Sequence, residues 1–131
     1  MQLTHIGLPV SDERRSRQFY ETYFGFDPAT AQRYDDGTVI IRNTEGFDLA
    51  LHVTEDVGQL PAFLHFGFRA RDAHGVRTLL DRLKADGVPI IEEHDEPTYV
   101  GFKCLDPDGF HVETYCHPAD GLDEQTRQPA G

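Results

Sequence analysis

The chain has 131 residues, 38% of them hydrophobic and 27% charged, with a formal net charge of −11. That length and balance fit one soluble globular domain with a real core and not a disordered chain. The acid surplus argues against nucleic acid and against an anionic membrane surface, since both need a basic face; no apolar run approaches the roughly 20 residues a membrane-spanning helix requires.

Residues 2 to 10 alternate, with Thr4, Ile6, Leu8 and Val10 on one side and Leu3, His5, Gly7 and Pro9 on the other. Period two with β-branched residues predicts a strand with one face on a core. Ser11 or Asp12 then caps a helix over 13–24, whose Phe19, Tyr20, Tyr23 and Phe24 form an apolar stripe, and Gly25 ends it. Strands are predicted over Phe26 to Tyr34, Thr38 to Arg42 and Phe47 to Val53, with turns at Asp35-Asp36-Gly37 and Asn43 to Gly46. The order so far is β-α-β-β-β.

After a connector over 55–62 the plan repeats. THIGLPVSD at 4–12 is echoed by LHFGFRARD at 64–72, so that His65, Gly67 and Asp72 stand 60 positions after His5, Gly7 and Asp12. Two copies of one unit in one chain point to a duplicated domain. Asp72 caps a second helix over 73–87, with Val76, Leu79, Leu80 and Leu83 as its buried stripe and Gly87 as its stop. Strands follow over Val88 to Glu92, Tyr99 to Leu105 and Phe110 to His117, the last two joined by Asp106-Pro107-Asp108-Gly109. The fold class expected is α+β: two βαβββ units forming a curved mixed sheet with helices on the outer face. The organisation expected is a single domain over 1–117, made of units 2–54 and 63–117, then a polar flexible tail over 118–131.

The strand-like opening carries no basic, apolar and small-residue signal pattern, so the default expectation is a cytoplasmic protein. Cys104 and Cys116 match neither zinc-site nor CxxC spacing and read as reduced thiols filling a core.

If the apolar parity of each strand faces the helices, the opposite parity carries His5, His65, His111, Glu113, Tyr115 and His117. Ordinary solvent faces are dominated by Lys, Glu, Thr and Ser. Glycines beside both repeated histidines weaken a strand unless something must approach closely. A pocket-lining face follows. His5, His65 and Glu113 share that parity on three strands, and two imidazoles with one carboxylate suit a divalent first-row metal with positions left open for substrate. Taken singly, each is more often a structural or solvated residue; the repeat relating His5 to His65 is what lifts the set. Tyr99, Lys103, Arg42 and Arg69 are weaker pocket candidates, for which exposure or a simple salt bridge is the better expectation. His74 and His94 fall in helix and loop positions and are given no role.

With these residues in view, the sequence resembles the vicinal oxygen chelate superfamily, which groups glyoxalase I, extradiol ring-cleaving dioxygenases, fosfomycin-modifying enzymes and bleomycin-binding proteins. The resemblance spans residues 2 to about 117. It rests on the paired units, the early His5, His-Phe-Gly-Phe at 65–68 and Asp-Pro-Asp-Gly-Phe-His-Val-Glu at 106–113. It implies a divalent metal (iron, manganese, nickel or zinc) held by His5, His65 and Glu113, which chelates vicinal oxygens of a small oxygenated substrate. The activity implied is that of a dioxygenase or a lyase or isomerase. Tyr115 is the candidate for positioning substrate. Glyoxalase I carries a further glutamate at the position that matching Gly46 to Gly109 assigns to Ala50; alanine cannot ligate, which weakens a glyoxalase reading. His52, two residues on at the same parity, is a further candidate for the pocket. The chain lacks a match to the basic segments of fosfomycin enzymes and is shorter than ring-cleaving dioxygenases. The resemblance also implies a homodimer with shared sites. The alternative is a protein that sequesters a drug or metabolite without metal, as bleomycin-binding relatives do.

Overall fold

A computed structural model describes residues 1–118. The chain forms two compact units that divide between Leu60 and Pro61. In the first, β1 (His5–Val10) leads to α1 (Glu13–Tyr23), then β2 (Phe26–Arg33), β3 (Val39–Asn43) and β4 (Asp48–Val53). In the second, β5 (His65–Arg69) leads to α2 (Ala73–Ala85), then β6 (Ile90–Glu96), β7 (Tyr99–Leu105) and β8 (His111–Cys116). Each unit carries its own four-stranded mixed sheet, ordered β1-β4-β3-β2 and β5-β8-β7-β6. In both, the first strand runs parallel to the last, and the remaining pairs are antiparallel. The expected βαβββ plan is therefore present twice. Of the tail expected over 118–131, residues 119–131 lie outside the described part.

The local signals account for the elements. Asp12 and Asp72 are the helix N-caps, each in extended backbone, accepting from the amides of Arg15 and Gly75 at 3.2 and 2.8 Å. A carboxylate there satisfies an amide that has no partner inside the helix and meets the positive end of its dipole. After α2, the Gly87 amide bonds the Lys84 carbonyl at 3.1 Å and the Val88 amide bonds the Leu83 carbonyl at 3.0 Å, with Gly87 at φ +79°. This paired return closes the helix two residues before the predicted end. It also occupies Val88, so β6 starts at Ile90 and not at Val88.

The far end of β6 runs on to Glu96, through a stretch read from sequence as loop, because cations satisfy its acids. Lys103 Nζ lies 3.1 Å from Glu92, Lys84 Nζ 2.9 Å from Glu93, and Arg77 makes a double contact with Asp95 at 2.8 and 3.0 Å. A charged edge strand of this kind also resists pairing with other sheets. His94 consequently lies in a strand, not in a loop.

The cores follow the predicted parity. In the first unit Leu8, Val10, Phe19, Tyr20, Phe26, Val39, Ile41, Leu49 and Leu51 are buried, and Tyr20 meets Phe19 and Phe26 edge to face. In the second unit Val76 and Leu83 are the fully buried part of the helix stripe, with Leu79 and Leu80 half-buried above Val100, Phe102, Cys104, Val112 and Cys116. Both cysteines are buried and neither is in a disulfide, and burial pushes the Cys104 thiol up to about 12. The two cysteines are thus core filling. Among the described residues no helix is long and apolar enough to cross a membrane.

Candidate metal centre

The polar face of the second sheet is built around Glu113. In register, Gly67 of β5 stands beside it on one side and Lys103 of β7 on the other. Two positions from Gly67, His65 brings its Nε2 to 4.0 Å from Glu113 Oε1. His65 Nδ1 lies 2.8 Å from the Phe63 carbonyl oxygen. A carbonyl can only accept, so Nδ1 carries a proton; in the neutral form of the ring the lone pair is then on Nε2, the nitrogen that faces Glu113, as in metal-binding histidines. Phe63 adopts φ +69°, a left-handed backbone costly for a bulky residue, and its ring meets the His65 ring edge to face at 4.9 Å.

The other carboxylate oxygen, Oε2, accepts from the Tyr99 hydroxyl at 2.5 Å, within the range for a phenol donating to a charged oxygen. Burial, and next the bond to Glu113, pushes the Tyr99 phenol well above its usual range, so it remains a neutral donor. Tyr99 stacks on Tyr115 with centroids 6.2 Å apart, and His117 approaches both rings at 5.5 Å. His94 meets Tyr99 at 5.6 Å. Lys103 turns away to Glu92 and over the Phe63 ring, 5.1 Å from its centroid. The expectation that Tyr99 and Lys103 share this face holds; sequence did not reveal the direct Tyr99–Glu113 bond, because the two are not register partners.

The first unit carries the equivalent face with different chemistry. His5 pairs in register with Asp48 as His65 pairs with His111, and Gly7 pairs with Ala50 as Gly67 pairs with Glu113. Ala50 is therefore the repeat counterpart of Glu113. His52 is the counterpart of Tyr115, opposite Pro9 as Tyr115 is opposite Arg69. His52 Nδ1 lies 3.0 Å from Thr38 Oγ1 on an exposed surface. Arg42 binds Asp48 through two nitrogens at 2.7 and 3.1 Å, the simple salt bridge expected for it. That bond, the largest influence, holds the Asp48 carboxyl below its usual range against the opposing effect of burial, with smaller help from the charges of Arg42 and His5.

Of the three expected ligands, His65 and Glu113 come together within the second unit, while His5 belongs to the first. Among the described residues no group of three or more His, Cys, Asp or Glu side chains is gathered as a metal site. Two donors about 2.0–2.2 Å from one ion at a tetrahedral angle stand about 3.4 Å apart, so the 4.0 Å pair would have to close by about half an ångström to share an ion.

The fold is shared with solved structures. One is a possible glyoxalase from Bacillus cereus, 28% identical, covering 88% of this chain and 99% of that one with a TM-score of 0.74. Another is the genomically encoded fosfomycin resistance protein FosX from Listeria monocytogenes, 19% identical, covering 88% and 93% with a TM-score of 0.75. A third is a glyoxalase/dioxygenase from Nostoc punctiforme, 22% identical, covering 89% and 91% with a TM-score of 0.72. No curated protein matches the chain. A family model matches residues 2–114, and the chain belongs to the Glyoxalase/Bleomycin resistance protein/Dioxygenase superfamily.

Proposed function

We propose that the protein is a divalent-metal-dependent enzyme that binds a small substrate through two vicinal oxygens, with His65, Glu113 and His5 as metal ligands. The observation that supports this best is the His65–Glu113 pair: an imidazole with its proton fixed on the far nitrogen, 4.0 Å from a carboxylate oxygen. Iron, manganese, nickel or zinc bound there would act as a Lewis acid on a substrate oxygen or, if redox-active, as a centre for oxygen chemistry.

The chain's own residues do the rest. The Phe63 carbonyl holds the His65 proton at Nδ1. Tyr99 holds one Glu113 oxygen. Tyr115, beside Glu113 on the same face, and His52, its counterpart in the first unit, are the side chains we assign to substrate contact. Ala50 supplies no carboxylate base, so a proton shuttle that depends on one at that position is disfavoured. The site belongs to a C2 homodimer in this proposal, with His5 from one chain and His65 and Glu113 from its partner.

Thermal shift with metal-stripped protein tests it. Mn²⁺, Fe²⁺, Ni²⁺ or Zn²⁺ should raise the melting temperature, and a panel of vicinal diols, catechols and 2-hydroxy and 2-oxo acids should then raise it further only when metal is present. A panel member that stabilises the protein equally without metal would favour a sequestering protein instead.

A further inference from the structure

We propose that Tyr99 is a positioning residue: lying over Gly101, it fixes one oxygen of Glu113 and so presents the other to the metal and His65. This rests on the reading of Glu113 and His65 as ligands. The strand register shows why the arrangement is not incidental. Lys103 is the residue of β7 opposite Glu113, and Gly101 is opposite Tyr115. Tyr99 is four positions from Lys103, a span of about 13 Å along a strand, so its ring reaches Glu113 only by lying along β7 across position 101.

Position 101 is cleared for it. A Cβ at Gly101 would stand 2.7 Å from the Tyr99 hydroxyl oxygen, 2.8 Å from Cζ and 3.0 Å from Cε1. Gly101 is buried mid-strand and its backbone does not have the positive φ that demands glycine. Glycine inside a strand weakens it relative to alanine, and what offsets that here is the seat for the phenol ring. Tyr115 and His94 then bracket that ring.

The choice of donor matters. Lys103 has the better register, yet its ammonium goes to Glu92 and Phe63. An ammonium on Glu113 would compete with a cation for the carboxylate; a neutral phenol occupies one oxygen and leaves the charge for the metal. Gly67 completes the arrangement from the other side, since a Cβ there would approach Oε1 to 3.2 Å.

The test is cobalt(II) binding to wild type, Tyr99→Phe and Gly101→Ala, followed by isothermal titration and by visible absorption. Tyr99→Phe keeps the ring and loses the hydroxyl; Gly101→Ala keeps the hydroxyl and displaces the ring. Both should weaken binding, Tyr99→Phe by about 10–100-fold as for other partners of metal ligands. The cobalt bands of Tyr99→Phe should change in intensity, because a released carboxylate can offer both oxygens; a purely structural tyrosine would leave the bands as they are. Should Gly101→Ala fail to fold, Tyr99→Phe carries the test alone. Wild-type binding with Tyr99→Phe inside twofold of it and the same spectrum overturns the inference while leaving the metal reading intact. A wild type that takes up no cobalt overturns both.

Discussion

Gly67 and Glu113 face each other in register across the parallel pair β5–β8, and a Cβ added to Gly67 would stand 3.2 Å from Oε1 and 3.3 Å from Cβ of Glu113. The glycine is conformationally ordinary, so its role is space. Its repeat counterpart Gly7 has nothing within 4 Å of the same added atom. Gly67→Val should therefore weaken divalent-metal binding at least tenfold while leaving the melting temperature near that of wild type, because valine suits a strand but crowds the carboxylate. Gly7→Val should raise or preserve the melting temperature. Metal titration and thermal melts on the two variants check the contrast; equal metal affinity in Gly67→Val and wild type would contradict it.

Asp106 is buried and accepts from the amides of Asp108 and Phe110 through Oδ1, both at 2.9 Å, which fixes the turn that launches β8. Asp106→Ala leaves both amides without that oxygen and should destabilise the protein by about 1–3 kcal/mol. Asp106→Asn retains an acceptor and should lose less. Urea unfolding of the three proteins gives the comparison, and an alanine variant as stable as wild type would show that water or a shifted turn replaces the oxygen.

Acid should loosen the protein in a defined window. Asp48 is held below its ordinary value of 3.8 chiefly by its hydrogen bonds to Arg42. Glu92 is held below its ordinary value of 4.5 chiefly by Lys103. In both cases the folded state favours the charged form, so the stability they contribute is complete above those ordinary values and is lost as the pH falls through the lower folded ones. Exposed pairs contribute little each, so the effect is a change in the slope of the acid limb. Arg42→Gln should flatten the fall in melting temperature as the pH drops below 3.8, and a slope unchanged by that substitution would remove Asp48 from the account.

Subunit mixing tests the proposal of a site shared between two chains. Chains carrying His5→Ala and chains carrying Glu113→Ala are expected to bind no metal alone. Their verified heterodimer should regain one intact site, since the unaltered His5 of one chain then meets the unaltered Glu113 of the other. No recovery on verified heterodimers would place each site within a single chain.

Much of this was legible in the residues. Alternation located β1, β4 and β5, because one apolar parity on a core leaves a strong period of two, and the Asp-Gly and Asp-Pro-Asp-Gly turns bracketed β2, β3, β7 and β8. Asp12 and Asp72 announced both helices. The miss was the extent of β6, predicted to stop at Glu92; the acidic stretch Glu93, Asp95 and Glu96 beyond it was read as loop, but partners on α2 and β7 make it strand, and such cross-element ion pairs leave no local periodicity. His65 and Glu113 were visible because parity selects both, the repeat relates His65 to His5, and Glu113 follows the Asp-Pro-Asp-Gly turn. The Tyr99–Glu113 bond was not, since it depends on a ring lying along β7 over Gly101, and residue spacing carries no signal for the direction a ring takes.

The most direct measurement is the metal content of protein purified without an immobilised-metal column, wild type beside Glu113→Ala, with far-ultraviolet circular dichroism confirming that both are folded. Wild type should carry, or take up on reconstitution, close to one equivalent of a divalent transition metal per chain, and folded Glu113→Ala should carry almost none. Wild type that holds no metal under any loading condition, or a Glu113→Ala protein that retains a full equivalent, would contradict the assignment of Glu113 as a ligand.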